Sequence, residues 1–531
     1  MSKAVSFTEG NAVRYPVPDV ARGFMLILIA LANIGVWAAV IPSQVQSSAL
    51  DAIFTVLRVG LIDQRAYPLF SMLFGFGLMV MVQRRRAQYM GKARASMGAL
   101  DPATTHPAFM AAQEQSFMAA AMVDARRLLR RRGWWMLLFG AVHALIFPGD
   151  IIGSYAIVAL IFAGLVVAEK PRTMIIIGAF PMVIGAFAMA GKAFIPEGTE
   201  QGTLLSVEYT PLTPLIHVGT WGVTTGFSLL LSNIIVAAGI GVHLAKTDYL
   251  THPEQHRRFL GVSAVLGLSV AFVVGLPAGM AKADLLAGGL QWWMYTLAAF
   301  GGLPGAWGWL SLIALLTGPA PTTGGLRGIR WVLSAVGRRS MTAYLLQSVS
   351  FLAIFATVNA LGWPVSETSN VLLAWATWLL IAALCVALEY AGKRGPFEVL
   401  LRSAVASTGK PVPVPPVLLP PTAPGMQRVP VIPRPYPQPG QAGSAGAYPM
   451  TPPMGEQMPY QSAASPQAAP AHPAQAQGAP AQPAPAQSAP AQTTSARPAQ
   501  AQPAPQAALP TEEGSASASP QEGEPGTWAQ P

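Results

Sequence analysis

Three groups of residues have types and spacings that could do chemistry. In the first, Asp19 follows Pro16 and Pro18, which suits it to cap a helix, and Arg22 lies about one turn further on. Asn33, eleven residues past Arg22, is the strongest hydrogen-bonding side chain, the Trp37 indole aside, in an apolar run from Phe24 to Ile41. That spacing puts Arg22 and Asn33 on one helix face with Asn33 about 16 Å deeper, near the middle of a bilayer core about 30 Å thick. An ion pair at the mouth and an amide at mid-depth outline a polar track for a substrate. The alternative is an amide that glues two helices together at ~1 kcal/mol.

The second group is His143 and Asp150, in GWWMLLFGAVHALIFPGDIIGSYA, residues 133 to 156. The Pro-Gly break turns the chain, so Asp150 can look back toward the imidazole one to two turns below it. An imidazole ordinarily titrates near neutrality and a carboxylate orients it, which is the pattern of an acid/base pair. A histidine bonded between helices and an aspartate capping the next helix is the alternative. The third group is Tyr344, Gln347 and Ser348, whose i, i+3, i+4 spacing sets them on one helix face. A polar stripe in an apolar span faces protein or a water-filled cavity, so it either binds substrate or joins helices.

The elements that must position these residues are membrane helices. Of 531 residues, 52% are hydrophobic and only 11% charged, with a mean hydropathy of +0.42. A soluble chain carries about a quarter charged residues. The fold class is therefore all-α, a polytopic membrane bundle embedded in lipid. Ten spans are expected, at 16–41, 66–82, 134–147, 151–168, 173–194, 221–245, 258–280, 291–317, 341–361 and 371–391. The first is read as a retained signal anchor, since its apolar run is longer than the 7 to 15 residues of a cleaved signal and no small-residue cleavage site follows. The net charge of +10 is not a nucleic-acid signal, because the basic residues sit in short segments between apolar runs. With the N-terminus inside, 25 Lys and Arg fall on inner segments and only Arg58, Arg65, Lys192 and Lys282 on outer ones. The positive-inside rule then places both termini in the cytoplasm of a multi-pass plasma-membrane protein. The stretch from 83 to 132, bounded by RRR and RRLLRRR, is expected to be a cytoplasmic loop.

Residues 1–21 form a short cytoplasmic lead, 22–405 the membrane domain and 406–531 a tail. From about 411 the tail is built from Pro, Ala, Gln, Gly and Ser, which cannot bury enough surface to offset its ordering entropy. It is expected to be disordered, to serve as a ligand for proline-binding modules or as a plain extension, and to be removable without loss of stability. The single cysteine, Cys385, excludes an internal disulfide. There is no nucleotide-binding glycine loop, Cys/His metal spacing or serine-nucleophile motif, so no metal and no ATP-driven pump are expected.

PDVARGFMLILIALANI, LFSMLFGFGL, GAVHALIFPGDIIGSYA, GRRSMTAYLLQS and KRGPFEVLLRS resemble, in this order, the marker segments of the YeiB-like bacterial membrane proteins (domain of unknown function 418). The resemblance covers most of residues 14 to 405. That family is grouped with the transmembrane acyltransferases, and the resemblance implies transfer of an acyl group from a cytoplasmic donor, often acetyl-CoA, to a cell-envelope acceptor on the far side. One branch of that clan has Asp, Arg three later and His fourteen after the Asp; here Asp19 and Arg22 match and Asn33 stands in the His position. The other branch has Asn there and a His eleven residues on, where this chain has Gln44.

Two functional expectations follow. As an acyltransferase, the chain would bind acyl-CoA as co-substrate, with no covalently held cofactor, through Asp19, Arg22, Tyr344, Gln347 and Ser348. His143, oriented by Asp150, would be the base and Asn33 would polarise the acyl carbonyl. As a transporter or lipid flippase, the same groups would line a path without covalent chemistry.

Overall fold

The computed structural model describes residues 15–39, 48–97, 107–194, 211–289, 291–321 and 325–417. Gln44 and the tail beyond 417 lie outside them. The described chain is a helical bundle: α1 Val17–Ala38, α2 Ala49–Leu61, α3 Ala66–Ala95, α4 Pro107–Ala144, α5 Ile152–Val167, α6 Pro171–Ala188, α7 Thr213–Leu230 and α8 Ile234–Leu244. There follow α9 Arg257–Lys282, α10 Trp292–Phe300, α11 Gly302–Thr317, α12 Gly328–Gly337, α13 Ser340–Ala360, α14 Glu367–Tyr390 and α15 Pro396–Ser407.

Among the described residues, seven stretches are long and apolar enough to cross a membrane, and α7 with α8, bent by 63° at their break, makes an eighth. The expected ten is reached only by adding the end of α4 and the 16-residue α5. The outward faces match a lipid environment: Phe180, Val265 and Leu380 stand largely exposed on α6, α9 and α14. Water would not tolerate such a continuous apolar rim on a monomer.

α1 is the axis of the bundle. Its apolar window is 67% buried, more than that of any other span, and it packs against α3, α11, α12, α13 and α14. The contact with α12 is backbone to backbone. A Cβ at Gly23 would stand 2.0 Å from the Leu333 carbonyl oxygen, and one at Gly337 1.8 Å from that of Asp19. Two small residues facing each other let membrane helices approach this closely and gain dispersion contacts along both backbones.

Two expectations are corrected. The stretch 83–132 is largely helix rather than loop: α3 runs to Ala95 and α4 is one helix from Pro107 through RRLLRRR to His143 and Ala144. Its Ala, Met, Gln and Arg content favours helix, and Arg85–Asp124 and Arg94–Glu114 ion pairs lace the two arms together. The tail's first residues are not detached either. Val412, Val414 and Val417 pack against Tyr89, Met90 and Phe117, and the Tyr89 hydroxyl donates to the Pro413 carbonyl at 2.7 Å. Finally, α2 was not anticipated. It is a 13-residue helix whose start is fixed by a reciprocal Ser48/Asp51 cap.

Candidate functional site

Asp19 is not a helix cap. The helix starts behind Pro16 with no side-chain cap, and the Asp19 carboxylate in the first turn accepts from Arg22 at 3.3 Å. Arg22 also donates to the Leu73 carbonyl at 3.3 Å, tying α1 to α3. Both side chains line a cavity of about 1440 Å³ formed by α1, α3, α4, α5, α12, α13 and α15. Drug-sized ligands occupy about 300–1,000 Å³, so this space suits something longer.

The electrostatics of the cavity are one-sided. Seven cations line it, Arg22, Arg84, Arg85, Arg132, Lys246, Arg338 and Arg402, against three carboxylates, Asp19, Asp248 and Glu398. They come from segments far apart in sequence that the charge pattern assigned to one side. Arg132 stands within electrostatic reach of Arg22 and Arg402, so like charges are held together in a partly enclosed space. Such a cluster favours a polyanion, and guanidinium groups suit phosphate oxygens best.

The inward wall is apolar and aromatic. Phe74, Ile151, Ile152, Tyr155 and Tyr344 line it, and behind Tyr344 lies His143, its ring 5.2 Å from that of Tyr344 in an edge-on arrangement. His143 and Asp150 are buried and joined, Nδ1 to Oδ1, at 2.8 Å. The other carboxylate oxygen accepts from the Gly153 backbone N–H at 2.9 Å and from the Trp221 indole at 3.2 Å. Asp150 therefore both caps the start of α5 and orients the imidazole. With the proton on Nδ1 facing the carboxylate, Nε2 is the lone-pair nitrogen, and it is buried with no partner among the described residues. An oriented imidazole with a free, water-excluded Nε2 is equipped to take a proton.

Asn33 shares this depth. Arg22 and Arg132 both belong to the basic cavity, and eleven residues beyond them on their helices come Asn33 and His143. Four residues further on, Trp37 of α1 and Phe147, in the turn after α4, stack at 5.4 Å. Asn33 is half-buried and has no hydrogen-bond partner among the described residues.

The third group divides. The Tyr344 hydroxyl accepts from the Ile151 N–H at 3.4 Å and the ring lines the cavity. Gln347 instead donates to the Leu26 carbonyl at 2.9 Å, joining α13 to α1, and Ser348 is buried; neither lines the cavity.

Sequence reasoning missed Arg132, Glu398, Trp221 and His217. Glu398 accepts from the Met341 and Thr342 N–H groups at 2.7 and 3.0 Å, capping α13, and Glu389 pairs with Arg338 and Arg339 at 2.6 and 2.7 Å. Glu398 thus locks GRRSMTAYLLQS to KRGPFEVLLRS, and Glu389 locks it to the end of α14. The second segment also supplies Arg402 to the cavity. Its acidic residues among basic ones were the available signal. His217 sits one turn before Trp221 on α7 and contacts the Leu145 carbonyl at 3.3 Å, with nothing local in the sequence to announce it.

A family profile described as "Protein of unknown function (DUF418)" matches residues 244–408, the part that holds Arg338, Tyr344, Glu398 and Arg402. The chain is similar to a Bacillus subtilis (strain 168) protein described as "Uncharacterized protein YxaH", 25% identical over 389 residues that cover 66% of this chain and 81% of that protein. No solved structure matches it. Residues 244–408 are thus similar to the DUF418 family, in a chain whose helices are long and apolar enough to cross a membrane.

Proposed function

We propose that this protein transfers an acyl group from an acyl-CoA in the basic cavity to a hydroxyl or amine that enters from the opposite side of the membrane. The observation that carries the reading is the wall shared by two environments: a cation-rich cavity ends on Tyr344, and directly behind Tyr344 stands a buried, carboxylate-oriented imidazole with a free Nε2. Phosphates of the donor would lie against Arg132, Arg338 and Arg402, and its thioester would reach the Tyr344 wall.

In the transfer step His143 Nε2 takes the acceptor's proton as the acceptor oxygen or nitrogen attacks the thioester carbon. The carbon–sulfur bond breaks, and the CoA thiolate leaves and recovers that proton from His143. Asn33, at the depth of His143, would donate to the carbonyl oxygen as negative charge develops on it. Tyr344 must swing aside for the thioester to meet the imidazole, which makes it the gate. On this reading the membrane is the cytoplasmic membrane, with the basic cavity and both termini on the cytoplasmic side.

The test is acetyl-CoA hydrolysis or transfer by purified protein in detergent, with His143→Gln alongside. Gln keeps a hydrogen bond to Asp150 but takes no proton at neutral pH. Acetyl-CoA should bind both proteins, and turnover should fall by about 10²–10⁴-fold in the variant.

Transport without chemistry is the second reading. The 63° break between α7 and α8, with Asn233 buried at the bend, favours it, because broken spans line substrate paths in many transporters. It predicts that His143→Gln retains full activity.

A further inference from the structure

The end of the bundle opposite the basic cavity holds a second cavity of about 510 Å³, and the two have no lining residue in common. Tyr155, in the wall of the first, donates its hydroxyl to the backbone carbonyl of Tyr67, in the wall of the second, at 2.9 Å.

The second cavity has a different charge pattern. Three cations (Arg58, Arg65, Lys282) and three carboxylates (Asp51, Asp63, Glu367) line it, so it is balanced where the first is strongly positive. Several of these groups are already committed. Asp51 accepts from the backbone and hydroxyl of Thr368 at 2.7 and 2.6 Å, and buried Arg65 donates to the carbonyls of Asp63 and Ala271 at 2.6 and 2.7 Å.

Two opposite charges retain open valence. Arg58 meets Glu367 through Nε at 2.8 Å, outside hydrogen-bond alignment, and its terminal nitrogens have no partner among the described residues. Those nitrogens fill the space above Gly35 of α1, where a Cβ would stand 2.5 Å from Nη1. The Asp63 carboxylate accepts no hydrogen bond among the described residues and meets the Arg65 charge only through electrostatics, which leaves its oxygens open to a donor. Buried beside them, Asn370 Oδ1 is an acceptor without a donor. The loop between α2 and α3 that carries Asp63 is held in a costly conformation, with Gln64 at φ +65° and its side-chain oxygen accepting from the Tyr67 hydroxyl at 3.0 Å. A non-glycine residue in the left-handed region persists where its surroundings fix it, and such residues gather at ligand sites.

We infer that this second cavity binds a small zwitterion, a primary ammonium joined by a short linker to an anionic phosphate or carboxylate. The anionic oxygens lie on the terminal nitrogens of Arg58, and the ammonium lies between Asp63 and Asn370 Oδ1. A ligand carrying one sign of charge would leave the opposite open group uncompensated in a partly buried space, whereas a zwitterion satisfies both. The group can come from a free metabolite or from a lipid headgroup. That it is the acyl acceptor rests on the acyl-transfer reading; that it binds does not.

The test is thermal denaturation of the full chain in detergent with phosphoethanolamine as probe. A saturable rise in Tm is expected, with phosphate alone and ethanolamine alone each at least about tenfold weaker. Arg58→Gln and Asp63→Asn should each remove the rise. Asp63→Asn should lower the ligand-free Tm only modestly, because that carboxylate accepts no hydrogen bond and meets Arg65 through electrostatics alone, so its result stands even if Arg58→Gln unfolds. In nanodiscs containing phosphatidylethanolamine, a raised Tm that phosphoethanolamine no longer increases identifies the headgroup as the source. A response that persists there identifies a free zwitterion. No saturable rise, a rise equalled by phosphate alone or by glucose, or a rise unchanged in Asp63→Asn would overturn the site. Acetyl-CoA binding, measured on the same variants, should be unaffected, so loss of this site and loss of the acyl-CoA reading are separable.

Discussion

The Asp150 carboxylate is held by three donors, the His143 ring, the Gly153 N–H and the Trp221 indole, drawn from α4, α5 and α7. Asp150→Asn should therefore cost both fold and function. An amide cannot accept from all three, and leaving a buried donor unpaired costs about 1–3 kcal/mol. His143→Gln should be milder on stability and more severe on activity. Denaturation midpoints beside turnover for the two variants check the contrast; equal, modest losses of both would make the pair a structural joint only. The pair was legible in the sequence as one of two readings, because a Pro-Gly break between a histidine and an aspartate lets the carboxylate turn back toward the imidazole, though it equally lets the aspartate cap the next helix. Trp221 was not, since it arrives from about seventy residues away and only packing brings it there. Gln347 misled for a related reason: a polar stripe tells that a face meets protein, not whether it meets a ligand or the Leu26 carbonyl.

At the scale of elements, the helices were readable and their joints were not. Hydropathy marks each apolar run, but it passes over α2, whose 13 residues include Asp51 and Arg58, and it reads the basic stretch between α3 and α4 as loop although its composition favours helix. The α1–α12 crossing predicts that Gly337→Val pushes α12 away from Asp19 and destabilises the protein by about 3 kcal/mol. A near-neutral result in detergent denaturation would show that α12 can shift freely. Trimming the tail at 418 should leave stability unchanged, whereas trimming at 411 should lower it by about 2 kcal/mol, because Val417 and its neighbours then leave Tyr89 and Phe117 uncovered. Equal midpoints for the two truncations would mean the packed segment contributes nothing. Glu169 gives a pH signature. Desolvation pushes its carboxyl up, but bonds from Lys246 and Arg86 outweigh this and hold it below the ordinary carboxylate range. Its contribution is present above the unfolded value of about 4.3 and is lost as pH falls through the lower folded value. Glu169→Gln should flatten the acid side of the stability profile.

For the molecule as a whole, the sequence's charge asymmetry becomes two unlike ends. Cations from the segments assigned to one side converge on the large cavity, while Arg58, Arg65 and Lys282, assigned to the other, share the small balanced one. Lys and Arg positions show on which side of a bilayer a segment lies; they do not show that seven of them line one space, which depends on how the helices pack. Between the ends stand the Tyr155–Tyr67 contact and the Tyr344–His143 wall. The most direct measurement is an equilibrium titration of the full chain in detergent with acetyl-CoA, at fixed low salt, for wild type, Arg132→Gln with Arg402→Gln, and His143→Gln. The account predicts saturable binding by wild type and by His143→Gln with similar Kd, and binding at least tenfold weaker, about 1.4 kcal/mol or more, in the double arginine variant. No saturable binding, or a Kd that ignores loss of both arginines, would contradict it.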